Sequence, residues 1–358
     1  MTTAWRILVS GVGSVGERHI RNLITLGQHD IAVHRTRALP YRTLERDLPA
    51  YDSLTKALAD WRPHIVLVTG PTALHLEVAT AAAEADCHVF VEKPLSHSLD
   101  GIERLEQALS RSGRSLMVGY MLRFHPLLRQ VKAWLEDGTL GRPLHWRSTW
   151  GEYLPDWHPW EDYRQGYAAR RDLGGGPALT FSHDLDLALW LFGPAEQGYA
   201  LPMPESPLRM DDPPGLDILL RHASGVSANL HLDFYQRPPQ RSYEVIGTRG
   251  RVVLDYYAGR LTRHAYPDDD AVTPPGLAPA VPAEIIEVPT GWDRNEMFIA
   301  ELEYFLGCLE RDETPAPGLA DGLASTRIAK ALGEGGSFRA DVAPTTRPFD
   351  NVPTGESG

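Results

Sequence analysis

Ile7-Leu8-Val9 is a short apolar run, and Gly11-Val12-Gly13-Ser14-Val15-Gly16 follows it almost at once as G-x-G-x-x-G. A helical pattern then begins, with Ile20, Leu23 and Ile24 on one face and Gly27 placed as its C-cap. A strand that turns through three spaced glycines into a helix fits the opening unit of a doubly wound sheet. Gly11 permits the tight turn. Gly13 lets backbone approach a pyrophosphate, and Gly16 lets helix and strand pack closely. The first helical N–H groups, around Ser14 and Val15, lack partners inside the helix and suit phosphate oxygens.

The same grammar continues for the first third of the chain. Ile31-Ala32-Val33 reads as a second strand. Asp52-Ser53-Leu54 opens a helix that Pro63 closes, and His64–Val68 is the third strand. Residues 72–86 are alanine-rich and helical. His88–Val91 is the fourth strand, 99–111 a helix and Leu116–Val118 the fifth strand. Apolar strands alternating with helices predict a parallel sheet covered on both faces. After Tyr120 the pattern changes. A helix is predicted over Pro126–Glu136, and strands over Leu144–Trp150, Leu216–Arg221, Ser227–Phe234, Tyr243–Gly247 and Arg251–Tyr256. Residues 265–290 read as an exposed, Pro- and Asp-rich excursion. Helices follow over Asn295–Glu310 and about 323–332. The expected fold is α/β. A Rossmann dinucleotide-binding domain over 1–122 precedes an α/β domain with an open, mostly antiparallel sheet over 123–342. A flexible tail is expected over 343–358.

Composition narrows the partners. A net charge of −12 makes the 358-residue chain a poor match for the phosphate backbone of nucleic acid. Cys87 and Cys308 are too far apart in sequence to suggest a metal or disulfide framework. No apolar run has the length of a membrane span, and Met1–Arg6 passes straight into a strand pattern without a signal peptide. The expectation is a cytoplasmic protein without metal, nucleic-acid or membrane partners.

The residue after the second strand reports on the dinucleotide. An acid there would hold the ribose 2′-hydroxyl of NAD. This chain has His34-Arg35-Thr36-Arg37, where two guanidinium groups and a hydroxyl suit a 2′-phosphate. NADP is therefore expected, with NAD as the alternative. Thr69-Gly70-Pro71-Thr72 follows the third strand with His75 one turn on, and Glu92-Lys93-Pro94 follows the fourth. Ligands in such sheets sit beyond the carboxyl ends of strands. Lys93 is one of only four lysines, and lysine, unlike arginine, can be tuned to release its proton.

These elements, with Gly174-Gly175-Gly176 leading to His183 and Asp186 and with the late Asp321-Gly322, resemble the Gfo/Idh/MocA family. This is the glucose–fructose oxidoreductase and inositol dehydrogenase family. The resemblance runs through almost the whole chain. It implies hydride transfer between a nicotinamide and the alcohol of a carbohydrate-like substrate. Lys93 would contact the reacting hydroxyl, and His183 would accept its proton. It also implies an oligomer, here expected as a homodimer or homotetramer. Many members carry an acid one turn before the histidine. Here the stretch is Ala178-Leu179-Thr180, so Thr180 or Asp186 takes that role or the proton route differs. The aromatic segment Tyr153–Arg164 offers Trp157, Trp160, Tyr163 and Arg164 as sugar contacts, and Arg123 lies near the expected crevice. Two other functions use the same residues: an epimerase or glycosidase that recycles its nicotinamide internally, and a non-catalytic dinucleotide sensor.

Overall fold

The computed structural model describes residues 4–36, 47–266 and 283–340. Strand β1 (Ile7–Ser10) leads into helix α1 (Ser14–Thr25). This helix ends as its glycine requires: Gly27 N–H donates to Ile24 O and Gln28 N–H to Leu23 O, with Gly27 at φ +81°. Next come β2 (Ile31–His34), β3 (Ala50–Tyr51), α2 (Leu54–Trp61), β4 (Ile65–Val68), α3 (His75–Glu84), β5 (His88–Glu92), α4 (Ile102–Ser112) and β6 (Leu116–Gly119). Ser53 caps α2 by accepting the Lys56 N–H. The six strands form one parallel sheet in the order β3-β2-β1-β4-β5-β6. The chain reverses its winding between β1 and β4, which opens a crevice at their carboxyl ends. Apolar strands buried on both faces explain why periodicity alone revealed most of this sheet.

The second part runs α5 (Pro126–Glu136), β7 (Pro143–Gly151), α6 (Pro177–Thr180), α7 (Ser182–Phe192), β8 (Ala195–Pro202), β9 (Gly215–His222), β10 (Ser227–Asp233), β11 (Gln240–Gly247), β12 (Gly250–Asp255), β13 (Arg260–Ala265) and β14 (Glu284–Glu287). It closes with α8 (Asn295–Glu310), α9 (Leu319–Leu332) and β15 (Gly336–Arg339). Nine strands form an open sheet in the order β14-β13-β12-β11-β7-β10-β9-β8-β15. Every neighbouring pair is antiparallel except β10 with β7. The expected excursion over 265–290 ends in a strand, since β14 pairs with β13; residues 267–282 lie outside the described residues. The tail expected over 343–358 also lies outside them.

Contacts divide the chain into two units. The first comprises residues 1–124, 170–175 and 293–330; the second comprises 125–169, 176–292 and 331–358. This differs from a division at residue 122, because α8 and most of α9 join the first unit. The reason is apolar packing. Leu302, Phe305, Leu306 and Leu309 of α8 bury against Ile7, Val9, Leu67, Phe90 and Met117 of the parallel sheet. The Phe90 and Phe305 rings meet edge to face at 5.6 Å. Each such side chain contributes about 1.5–3 kcal/mol on burial. No helix among the described residues is long and apolar enough to cross a membrane.

Candidate functional site

The glycine-rich turn shows why each glycine is needed. Gly11 has φ +99°, and a β-carbon there would lie 2.5 Å from Gly70 Cα. A β-carbon on Gly16 would collide with Gly11 O and stand 3.0 Å from Thr69 Oγ1. At Gly13 it would meet nothing within 4 Å. Two glycines thus serve the packing of the turn, and the third leaves open space above it. Gly13 is also the N-cap of α1 and supplies no side-chain cap. The first-turn N–H groups, with Ser14 exposed and Val15 half-buried, remain for a ligand. A pyrophosphate fits this cradle.

The carboxyl end of β4 is tied to the same turn. Thr69 N–H donates to Ser10 O at 2.9 Å and Thr69 Oγ1 to Gly11 O at 2.6 Å. His75, expected at the cofactor, is buried instead, its ring nitrogens 2.8 Å from Pro94 O and 2.9 Å from Gly70 O. It clamps the loops after β4 and β5 and holds Gly70-Pro71 in place, rather than offering a nitrogen outward. Burial lowers its pKa, and the two backbone carbonyls facing its nitrogens act the other way. Glu92, also expected at the cofactor, turns inward. Its Oε1 accepts His19 Nε2–H at 2.6 Å, and its Oε2 accepts the Lys93 backbone N–H at 3.2 Å. Lys93 itself is half-buried at the end of β5.

At the end of β2, Arg35 is half-buried and Thr36 exposed, while Arg37 lies outside the described residues. Arg35 N–H donates to Tyr51 O, and β3 pairs His34 with Tyr51. That pairing carries Asp52 alongside, close enough to act on the His34 imidazole, whose pKa falls through burial and is partly restored by Asp52. A carboxylate is therefore present near this strand end, although none is adjacent in sequence. Arg123, expected at the substrate, pairs with Asp321 at 3.0 Å within the first unit. This explains the late Asp321-Gly322. Asp321 holds Arg123, while a β-carbon on Gly322 would stand 2.8 Å from Val118 Cγ2 and 3.0 Å from Leu95 Cβ.

In the second unit, Gly176 caps the short α6, which ends at Thr180, and α7 then carries His183 and Asp186. All three side chains are buried. The His183 ring stacks on Trp150 at 6.1 Å and 28°. Behind it, the Arg241 guanidinium lies 3.5 Å from the Trp150 ring centroid, as β7–β11 register requires. Arg241 Nε donates to Tyr243 Oη at 2.7 Å, and Asp184 accepts from Ser148 Oγ. Sequence reasoning missed Trp150 and Arg241, because only the strand pairing places them behind the histidine. The aromatic segment is less uniform than expected. Trp157 packs edge-on against Phe181 and Phe234 at 5.9 and 5.6 Å, a core contact. Trp160 is 67% exposed. Tyr163 Oη accepts the Arg209 N–H, and Arg164 pairs with Asp162 at 2.6 Å.

Residues 5–120 match the oxidoreductase family with an NAD-binding Rossmann fold, and residues 128–253 match the GFO/IDH/MocA C-terminal domain. The levoglucosan dehydrogenase of Pseudarthrobacter phenanthrenivorans is 25% identical over 77% of this chain and 80% of its own length. The myo-inositol 2-dehydrogenase of Thermotoga maritima is 29% identical over 70% of this chain and 75% of its own. Among solved structures, a levoglucosan dehydrogenase in complex with NADH shares the fold, with a TM-score of 0.79 and 20% identity over 92% of this chain and 96% of that one. The two family models together cover most of the chain, and the chain belongs to the Gfo/Idh/MocA family of NAD(P)-binding oxidoreductases.

Proposed function

We propose that this protein is an NAD(P)-dependent dehydrogenase or reductase acting on a secondary alcohol or carbonyl of a sugar, amino sugar, nucleotide sugar or cyclitol. The carrying observation is that the glycine-rich turn after β1 and the E-K-P element after β5 share the carboxyl edge of one parallel sheet. The nicotinamide, when bound, exchanges a hydride with the carbinol carbon. The chain's own residues manage the proton. His183 accepts it from the hydroxyl, as an imidazole can near neutral pH. The Lys93 ammonium steadies negative charge growing on that oxygen. Asp186, one turn beyond His183, orients the substrate or the imidazole. Of the polar contacts expected for a sugar, Thr180 and the segment around Trp160 and Tyr163 remain assigned to it. The two curated relatives are named for cyclic polyhydroxy compounds, which supports that class.

The deciding experiment titrates NADPH and NADH into purified protein. A panel of sugars, amino sugars, cyclitols and nucleotide sugars is then followed at the reduced-nicotinamide absorbance. Substrate-dependent turnover supports the reading. Tight dinucleotide binding without any absorbance change would instead favour the internally recycling enzyme or the sensor.

For the cofactor we favour NADP, because Arg35 and Thr36 follow β2 and offer a guanidinium and a hydroxyl of the kind that suits a 2′-phosphate. Arg35→Ala is expected to weaken NADPH by roughly ten- to a hundredfold, the worth of a charge-assisted hydrogen bond, and NADH far less. Equal effects on both would defeat the assignment and shift attention to Asp52. We also favour a homodimer or homotetramer in a reducing, cytoplasmic setting. Both cysteines are free and buried. The exposed Tyr199, Leu201 and Leu219 cluster on β8 and β9, where Tyr199 and Leu219 are cross-strand partners. Such a patch suits a partner surface. Light scattering is expected to give at least twice the chain mass, and a monomer would leave the patch unexplained.

A further inference from the structure

The proposed proton route leaves one buried cation of the second unit without a task. Arg241 of β11 is 2% exposed and lies opposite Trp150 of β7 in the strand register. Its guanidinium carbon is 3.5 Å from the centre of the Trp150 ring and 4.5 Å from that of Tyr256, so two aromatic rings hold the cation. Its Nε donates to Tyr243 Oη at 2.7 Å. A terminal nitrogen of the same guanidinium lies 3.9 Å from Asp184 Oδ2, and both side chains of this ion pair are buried. Asp184 also accepts from Ser148 Oγ of β7. His125, whose ring is 5.4 Å from that of Tyr256, is pushed down to about 3 by burial and then by the Arg241 charge, so it adds no second cation here.

These contacts converge on the first turn of α7. Asp184 directly follows His183, and its backbone N–H donates to Phe181 O at 3.0 Å. Trp150 meets the Phe181 ring at 4.6 Å and the His183 ring at 6.1 Å. Arg241 therefore reaches the turn that carries His183 by two routes, through the Asp184 carboxylate and through the Trp150 ring. Stability does not account for the arrangement. Taking a cation and an anion out of water costs about as much as their attraction returns, and neutral groups of similar size often fill a core equally well. What the buried pair adds is direction. A planar guanidinium fixed by a phenol oxygen and two rings leaves the Asp184 carboxylate one place to settle. An apolar side chain at 241 would fill the space without holding Asp184.

We propose that Arg241 is a positioning residue for His183: by holding Asp184 and Trp150 together it sets the first turn of α7, and with it the direction of the imidazole. This inference rests on the role given to His183 above. A general base must lie within hydrogen-bond reach of the proton it takes, and a displacement of about 1 Å can cost about a hundredfold in rate.

The test compares the full-length parent with a double variant, D184N/R241M. Asparagine keeps an oxygen for the Ser148 hydroxyl and methionine keeps much of the arginine stem, so neither charge is left alone in the core. The double variant is expected to melt within a few degrees of the parent. Its kcat is expected to fall by about ten- to a hundredfold, with dinucleotide affinity kept, because the glycine-rich turn belongs to the other unit. A pair that served the core alone would leave kcat at the parental value, and that result would overturn the proposal. Equal losses of kcat and dinucleotide affinity would mark a general disturbance and also overturn it. The imidazole gives a reading free of activity. The ring-proton signal of His183, identified among the fourteen histidines by its loss in H183N, is expected to move in the double variant toward the position of a free imidazole as the stack on Trp150 loosens. A signal that stays in place would count against Arg241 as decisively as an unchanged kcat. Should the double variant fail to fold, D184N alone changes hardly any volume and cuts the tie to α7. A several-fold loss of kcat and the same direction of shift are then expected, and parental values on both would overturn the proposal. A parent without turnover on any alcohol sinks the dehydrogenase reading, while the imidazole signal still judges Arg241.

Discussion

Lys93→Ala is expected to abolish most turnover, by on the order of a thousandfold in kcat, with dinucleotide affinity close to the parent's. The magnitude follows from the proposed role. A cation fixed beside an oxygen that gains charge acts on the transition state more than on the bound alcohol. The dinucleotide cradle is built elsewhere, from the turn after β1 and the clamped loop after β4. Lys93 also shares its backbone N–H with Glu92, and alanine keeps that bond. A variant that folds, binds dinucleotide and turns over at the parental rate would remove Lys93 from the mechanism. Stopped-flow measurement of a single turnover reads the chemical step directly.

Gly16→Ala and Gly13→Ala are expected to part company. The Gly16 β-carbon would run into backbone at Gly11 O and into a Thr69 hydroxyl already bonded to that oxygen. Neither neighbour is the loose end of a flexible side chain. Helix α1 must move off β1, at a cost of about 1–3 kcal/mol, and the first-turn N–H groups move with it. Dinucleotide affinity is expected to drop at least about a hundredfold, and the melting temperature by several degrees. Gly13→Ala puts its methyl group into open space. It is expected to leave the melting temperature alone and weaken only the dinucleotide. Thermal melts with and without NADPH separate the two. Equal loss of stability in both variants would refute the assignment of Gly13 to the ligand and Gly16 to the fold.

Legibility in the sequence tracked how local each cause was. Strands β1, β2, β4, β5 and β6 are apolar runs whose identity needs no partner. Strand β3 is two residues long, and β13, β14 and β15 each bury little beyond a single apolar side chain. Strand β8 carries Gly198 where Phe338 of β15 covers it, so that position is packed by a distant segment. The site divides in the same way. Glycines that answer to backbone geometry were readable from their spacing. The inward turn of Glu92 depends on His19, the pairing of Arg123 on Asp321, and the approach of Asp52 to His34 on a strand pair. None of those partners is near in sequence, and no periodicity announces them. Trp157 shows the opposite failure, since an aromatic that suits a sugar face suits a core equally well.

The capture of α8 by the first unit sets a schedule for synthesis. When residue 124 leaves the ribosome, every strand of the parallel sheet exists, yet the face bearing Phe90 and Met117 still lacks Leu302, Phe305, Leu306 and Leu309. That apolar face must wait for more than half of the chain to be made. A nascent chain in this state exposes a sticky surface, and chaperones are the natural tenants of such surfaces. A chain cut short before α8 would keep that surface permanently, so truncated products of this gene should precipitate or be degraded rather than persist as a free dinucleotide-binding module.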